Sequence, residues 1–145
     1  MMGGEVSMKV MISACLLGEN CKYNGGNNYS EKVAAYIAGK TVIPVCPEVL
    51  GGLPVPRMPC EIVDGVVRSA DGRSFDAEYH QGAEIALDIL RQENPDLVIL
   101  QSRSPSCGVK QIYDGTFTGT KVPGQGVFAA MAIHEGIPVI DVEDL

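Results

Sequence analysis

The amino-acid sequence predicts an α/β fold, in which a single open, mostly parallel four-stranded sheet carries flanking helices and a small hairpin insertion. Two observations support this prediction. Four short runs are rich in Val and Ile and apolar on both faces, as the buried strands of parallel sheets are. Segments with apolar residues at helical spacing lie between these runs, and such alternation is typical of α/β domains with right-handed crossovers. The predicted strands are residues 9–14, 41–46, 97–101 and 137–142.

The segments between the strands each carry a local signal. A helix is predicted over residues 29–38, after the turn-forming NGGNN, and Gly39 suits the position just after a helix end. The Asp-Gly pair inside residues 61–68 is typical of a β-hairpin turn. Residues 75–93 place apolar side chains at near-helical spacing, and the apolar stretch VFAAMAI predicts a third helix over residues 126–134.

The composition predicts one folded domain. The 145-residue chain has 46% hydrophobic and 20% charged residues, close to the average for globular proteins. We therefore expect residues 8–145 to form a single α/β domain. Residues 1–7 lack the apolar core of a secretory signal and are predicted to be a disordered leader. The apolar runs are too short to cross a bilayer, so we expect a cytoplasmic protein without membrane association.

The charge of the chain bears on its partners. The formal net charge is −7, and Lys and Arg are scattered without a basic run. Because binding to phosphate backbones depends on a basic face, this charge argues against a nucleic-acid partner. A small-molecule ligand fits the composition better, and the sequence leaves the oligomeric state open.

Three of the five cysteines occupy related positions in the predicted fold. Cys15 follows the first strand, Cys46 ends the second, and Cys107 lies in the loop after the third. Ligands of open α/β sheets bind beyond the carboxyl ends of the strands, so we expect these three thiols to meet at one edge of the sheet. An odd number of cysteines in a chain of this size also favours metal ligation or thiol chemistry over a disulfide framework.

Polar residues accompany two of these cysteines. Glu48 follows Cys46 by two residues and is a candidate acid or base beside a soft ligand. Arg57, in the proline-rich stretch that follows, is a candidate anion-binding residue. The serines of SRSPSCG surround Cys107 and are expected to donate hydrogen bonds to its sulfur. The glycines of TGTKVPGQGVF precede a predicted helix, whose backbone N–H groups suit an anion or a polar ring edge.

The ligand set narrows the choice of metal. Three thiolates without a histidine partner suit a soft metal, and zinc would need a fourth ligand that no zinc-finger spacing supplies. An iron–sulfur cluster can be held by three thiolates, and its open iron then acts as a Lewis acid. Two alternatives remain at this point. One is a non-catalytic zinc- or nucleotide-binding module, and the other is a sulfurtransferase that carries a persulfide on Cys107.

Four motifs together resemble a known family. SACLLG…CKYNGG, PVCPEVLGGLPVPR, SRSPSCG and VPGQGVFAA…GIPVI are similar, in this order, to motifs of the thiouracil desulfidase-like family, small iron–sulfur proteins long classed as a domain of unknown function. The resemblance covers nearly the whole chain from Met8 onward. It implies a small α/β enzyme with a [4Fe-4S] cluster bound through three cysteines. It also implies removal of sulfur from a thiolated pyrimidine, a small-molecule base or nucleoside, to give the carbonyl and sulfide.

The motifs carry the family's site residues onto this chain. The resemblance implies that the cluster ligands are Cys15, Cys46 and Cys107. It implies a catalytic Glu48 that activates water or moves a proton, and a catalytic serine, for which Ser104 is favoured over Ser102. We also expect the cluster to be lost when the protein is purified in air. The motifs do not choose among a free base, a nucleoside, a nucleotide and a tRNA-derived substrate.

Two further cysteines depart from the simplest pattern. Cys60 stands where a small residue, often alanine, is expected after the prolines, and Cys21 is an additional thiol in the first motif. Whether either contributes to the cluster is left open by the sequence.

Overall fold

The computed structural model describes residues 8–145, and the predicted leader therefore lies outside the described residues. The strands are β1 (Lys9–Ser13), β2 (Thr41–Val45), β3 (Cys60–Val63), β4 (Val66–Ser69), β5 (Leu97–Leu100), β6 (Gln111–Tyr113), β7 (Lys121–Pro123) and β8 (Val139–Asp141). The helices are α1 (Glu31–Ile37), α2 (Pro47–Leu50), α3 (Asp76–Glu93) and α4 (Val127–His134), with short 3₁₀ turns over Ala14–Leu17 and Val142–Asp144.

A parallel sheet of four strands, in the order β2-β1-β5-β8, forms the centre of the fold. The α/β class, the four sheet strands and the three predicted helices are confirmed, with ends that differ from the predicted ones by one or two residues. The hairpin predicted over residues 61–68 is also confirmed, as the antiparallel pair β3–β4. None of the helices within residues 8–145 combines the length and the apolar character needed to span a membrane.

Alternating residues of the central strands supply two apolar layers. Met11 of β1 packs with residues of α3 and α4 on one face of the sheet. Its neighbours Val10 and Ile12 pack with Val33 of α1 on the other face. Successive side chains of a strand point to opposite faces, so the Val- and Ile-rich β1 is buried on both sides. The sheet is thus covered by helices on each face.

The prediction that all four strands are apolar on both faces was wrong for the two edge strands. In β8, Val139 and Ile140 are only half-buried and the buried residue is the polar Asp141. In β2, Thr41 and Pro44 are exposed, and only Val45 is buried. β2 lies at the edge of the sheet, where one side has no neighbouring strand. Proline is tolerated at an edge because its missing N–H removes no hydrogen bond between strands.

Two elements were not predicted. A short helix, α2, begins at Pro47, at the start of the proline-rich stretch; proline suits the first turn of a helix because its φ angle is already helical. A second hairpin, β6–β7, lies between β5 and α4, where no strand was predicted. Its strands have three residues each, too few to produce a recognisable alternation of polar and apolar residues.

α2 rests on α3 through two glycines. A Cβ atom on Gly82 would lie 1.8 Å from the carbonyl oxygen of Pro47, and one on Gly51 would lie 2.1 Å from that of Glu78. The two backbones are therefore in direct contact, and only hydrogen atoms fit between them. This contact fixes the position of the segment that follows β2.

We expect the substitution Gly82→Ala to destabilise the protein by about 1–3 kcal/mol, because the added methyl must push α2 away from α3. At an ordinary helix position the same change stabilises by up to about 1 kcal/mol. Urea denaturation measures the difference. Gln81→Ala, one residue earlier and exposed, is the matched control and should change the free energy of unfolding little. A stabilised Gly82→Ala protein would contradict the backbone contact.

Candidate active site

A cavity of about 580 Å³ lies beyond the carboxyl ends of β1, β2 and β5. The structure places all three predicted thiols around it: Cys15 in the 3₁₀ turn after β1, Cys46 directly after β2, and Cys107 in the loop after β5. Their separation in sequence is large, but parallel strands end at the same edge of a sheet. The arrangement therefore follows from the topology.

Cys15 is half-buried and is held by a residue that sequence reasoning missed. The side-chain amide of Asn28 donates a hydrogen bond to the Cys15 sulfur at 3.4 Å, and its backbone N–H donates to the Cys15 carbonyl at 2.9 Å. Burial raises the pKa of the Cys15 thiol, and the Asn28 amide partly offsets this. Asn28 lies in the NGGNN turn, which the sequence had indicated only as the entry to a helix.

Cys46 lies next to another thiol of the same cavity. Its sulfur donates to the carbonyl oxygen of Cys21 at 4.0 Å, and the side chain of Cys21 is buried. Burial, together with the neighbouring Cys46, raises the pKa of the Cys21 thiol. Cys60 is half-buried at the side of the cavity that adjoins a smaller one of about 230 Å³.

The loop that carries Cys107, residues 104–108, is held by the first turn of α4. Val127 donates its backbone N–H to the carbonyl of Pro105 at 2.8 Å. A Cβ on Gly126 would lie 2.5 Å from the carbonyl carbon of Ser106, so only glycine allows this approach. The backbone N–H groups at the start of α4, which the sequence suggested as an anion site, thus bond to the loop that carries Cys107.

Cys107 itself is buried. Burial raises the pKa of its thiol to about 12, against the opposing effect of hydrogen bonds from Ser13 and Ser106. The Ser106 hydroxyl lies 3.6 Å from the sulfur. The predicted contact between the serine-rich motif and the thiol is therefore present in the structure.

These thiols form a donor set that suits a cluster better than a single ion. Within residues 8–145, no three His, Cys, Asp or Glu side chains come together closely enough to hold one metal ion. The irons of a cluster stand at separate corners, so its thiolate ligands are spread more widely than those around one ion. Three thiols on rigid strand ends, with N–H and O–H groups directed at two of them, match that requirement.

The carboxylate of Glu48 receives five hydrogen bonds. Its Oε1 atom accepts from Arg57 Nε at 3.0 Å, from Arg57 Nη2 at 2.8 Å and from the Tyr79 hydroxyl at 3.2 Å. Its Oε2 atom accepts from the hydroxyls of Ser106 at 2.7 Å and Ser104 at 3.2 Å. One oxygen is thus held by a cation and a phenol, and the other faces two exchangeable hydroxyl protons.

Arg57 was predicted to bind an anion, and that anion is the chain's own Glu48. The side chains of the pair are 7% and 12% exposed, so the ion pair is buried. Arg57 Nη2 also donates to the carbonyl of Cys21 at 2.8 Å, and its backbone N–H donates to that of Tyr23 at 2.7 Å. Burial opposes the charge on Arg57, but Glu48 outweighs it, and the pKa of the guanidinium is raised.

Of the two serines predicted to be catalytic, Ser104 contacts Glu48. The hydroxyl of Ser102 donates instead to Asp141 Oδ1 at 2.5 Å, although Ser102 also borders the cavity. Ser106, which the sequence indicated only as a partner of the thiol, shares Glu48 with Ser104. Spacing alone does not reveal which way a loop hydroxyl points.

Tyr79 is a site residue that the sequence did not single out. It is 2% exposed and donates its hydroxyl to Glu48. Burial, followed by the charge of Glu48, raises the pKa of the Tyr79 phenol, so the hydroxyl keeps its proton. A tyrosine four residues before Ala83, on the buried stripe of α3, is a sign that its hydroxyl needs a buried partner.

Known proteins match this chain over nearly its whole length. The family model described as 2-thiouracil desulfurase matches residues 10–144. YbbK of Bacillus subtilis (strain 168), an uncharacterised protein, is 38% identical over 146 residues, which cover 94% of this chain and 97% of that relative. A solved structure described as the [4Fe-4S]-dependent thiouracil desulfidase TudS is 36% identical, covers 95% of this chain and 93% of its own, and has a TM-score of 0.89. The resemblance indicated by the cysteine motifs is confirmed.

We expect Arg57→Met to destabilise the protein by about 3–5 kcal/mol, because it leaves the buried Glu48 carboxylate without a cationic partner. The double variant Arg57→Met/Glu48→Gln should recover much of this loss. Denaturant unfolding of the wild-type protein, the two single variants and the double variant gives the coupling energy between the two side chains. Arg91→Met is the control: Arg91 is 58% exposed and pairs with Glu135 at the surface, so its loss should cost less than about 1 kcal/mol. Equal costs for Arg57 and Arg91 would contradict a buried pair.

Proposed function

This chain belongs to the 2-thiouracil desulfurase family, and from that premise we propose that it is a [4Fe-4S]-dependent desulfidase. It would replace the sulfur of a thiolated pyrimidine by oxygen from water and release sulfide. The observation that carries this proposal is the meeting of three thiols and a hydrogen-bonded carboxylate in one cavity. Those residues are Cys15, Cys46, Cys107 and Glu48.

The cluster would be held by Cys15, Cys46 and Cys107. When bound, it supplies a Lewis-acidic iron that can accept the thiocarbonyl sulfur and polarise the C=S bond. Cys15 and Cys46 lie just after strand ends, and Cys107 lies in the loop that α4 holds in place. Because these three positions are fixed, no further protein ligand would be brought to the fourth iron. Cys60 and Cys21 border the same cavity, but neither is required for a three-ligand site.

The overall reaction is a hydrolysis: C=S and H₂O become C=O and H₂S, with no net oxidation. The attacking water must lose a proton, and Glu48 is placed to accept it. Because Oε1 is occupied by Arg57 and Tyr79, we assign proton transfer to Oε2. Arg57 and Tyr79 would then orient the carboxylate, and their contribution would act through Glu48.

Ser104 is suited to pass a proton between Glu48 and the substrate. Its oxygen accepts the backbone N–H groups of Ser106 and Cys107, each at 3.0 Å. Its own proton has two acceptors in reach, Glu48 Oε2 at 3.2 Å and the Ser106 hydroxyl at 2.9 Å, and Ser106 itself bonds to Glu48. The same two N–H groups would stabilise negative charge that develops on this oxygen during transfer. The Ser102 hydroxyl, bonded to Asp141, lacks such an arrangement, so we favour Ser104 as the catalytic serine.

The size of the cavity and the net charge of the chain support a small-molecule substrate, either the free base or a nucleoside. A cavity of about 580 Å³ lies within the range of small-molecule sites, roughly 300–1,000 Å³. The net charge of −7 does not favour a nucleic acid. All five cysteines are unpaired, which suits the reducing cytoplasm where we place the enzyme.

The two alternatives from the sequence have less support. A persulfide carrier needs an accessible thiol of low pKa, whereas Cys107 is buried and burial raises its pKa to about 12. A structural zinc site needs ligands gathered around one ion, and the described part of the chain contains no such group.

We expect Cys46→Ala to lose the cluster, because alanine offers iron no donor atom. Anaerobically reconstituted wild-type protein should contain about four irons and four acid-labile sulfides per chain, as a [4Fe-4S] centre requires, and the variant far less. Cys60→Ala is the matched control and should retain both. Zinc in place of iron in the wild-type protein, or a full cluster in Cys46→Ala, would contradict the three-ligand assignment.

We expect Glu48→Gln to keep its iron and sulfide but to lower the turnover of 2-thiouracil by about 10²- to 10⁴-fold, because the amide cannot accept a proton from water. The turnover is measured as the rate of uracil release, which chromatography quantifies. Ser104→Ala should slow turnover more than Ser102→Ala does. Full activity of Glu48→Gln with its cluster in place would refute the assignment of the base, and a larger effect of Ser102→Ala would reverse the choice of serine.

A further inference from the structure

One part of the cavity wall has no role in the chemistry described so far. It comes from the loop between β6 and β7, residues 114–120, which contributes Phe117 to the lining. Phe117 is half-buried, and it belongs to none of the apolar core clusters of the described chain. Phe117 therefore borders the cavity without belonging to the core.

The backbone of Phe117 is held in an unusual conformation. Its φ angle is +59°, in the left-handed region that side chains with a Cβ rarely adopt. Such strain persists only where the surroundings enforce it, and it is concentrated at binding and catalytic sites. The fold thus maintains a strained backbone at Phe117, and the packing of the core does not account for this strain.

Glu61 of β3 enforces the conformation. A single carboxylate oxygen, Oε1, accepts the backbone N–H of Gly115 at 3.0 Å and that of Phe117 at 3.1 Å. A Cβ on Gly115 would lie 2.7 Å from the carbonyl oxygen of Ile62, so the loop is seated directly on the first hairpin. Inside the loop, Asp114 accepts the N–H and the hydroxyl of Thr116 at 2.9 and 2.6 Å. The loop is therefore rigid and anchored.

From this geometry we infer that Phe117 is a substrate-binding residue, against whose ring the pyrimidine stacks, and that Glu61 is its positioning residue. The inference rests on the proposed function, which makes the substrate a planar heterocycle. An aromatic side chain offers such a ring a flat apolar face, and stacking is tolerant of the substituents at the ring edge. The edge remains free to meet Glu48 and the thiols.

The other aromatic residues of the cavity are less suited to this role. Tyr23 is 44% exposed, so its side chain is only partly enclosed by the cavity. Tyr79 and Tyr113 each carry a hydroxyl that needs a polar partner, and the Tyr79 hydroxyl is already bonded to Glu48. Phe117 has no polar group to satisfy, so its ring is available to the ligand.

The test measures binding of 2-thiouracil to the Glu48→Gln holoenzyme, in which turnover is suppressed. Equilibrium dialysis under anaerobic conditions gives Kd for Phe117, Phe117→Leu and Phe117→Tyr in that background. Leucine keeps the apolar volume but removes the π face, and we expect it to raise Kd roughly tenfold. Tyrosine keeps the ring and should change Kd by less than about twofold. Equal Kd values for Phe and Leu, or no binding at all, would overturn the inference.

Glu61 is tested by rescue and by coupling. Glu61→Ala should weaken binding in the presence of Phe117 but add little in the Phe117→Leu background, whereas Glu61→Gln, whose carbonyl can still accept both N–H groups, should bind normally. If Glu61→Ala changed only thermal stability, or acted equally in both backgrounds, its positioning role would be rejected. Turnover of 2-thiouracil by the wild-type enzyme separately tests the proposed function, so the two failures are distinguishable.

Discussion

The buried ion pair between Arg57 and Glu48 is the interaction on which the site depends. A carboxylate among three thiols would be strongly disfavoured in a cavity unless a cation compensated it. Arg57 does so through two N–H groups, and it also donates to the carbonyl oxygens of Cys21 and Pro54. One side chain therefore neutralises Glu48 and joins two loops that follow different strands. Loss of this cation would disturb the charge and the shape of the site together.

Close backbone contacts give the site its rigidity. Gly82 lets α2 rest on α3, and Gly126 lets α4 approach the Cys107 loop. Glycine allows these approaches because it carries no Cβ. These two glycines thus position Cys46 and Cys107 relative to the sheet, although the sequence suggested for Gly126 only a part in binding an anion or a polar ring edge. Ligands to a cluster need such fixed positions, since their sulfurs must match several metal atoms at once.

The sheet and the three thiols around the cavity were predictable from the sequence, because both follow from the order of apolar strands. Any residue just after a parallel strand lies at the same edge of the sheet, so the sequence alone predicts that Cys15, Cys46 and Cys107 lie close together. The partner of Arg57 could not be predicted, because the eight residues between it and Glu48 include two glycines and two prolines and their path has no periodicity. The directions of Ser102 and Ser106 depend on loop torsions, which spacing does not encode.

The edge strand has a consequence for the behaviour of the protein in concentrated solution. An open sheet edge offers unpaired N–H and C=O groups to any other extended chain, and such pairing starts intermolecular aggregation. In β2 the exposed Pro44 has no N–H to offer and interrupts the row of donors. Foreign strands are thereby discouraged from adding to the sheet at the edge that leads into Cys46.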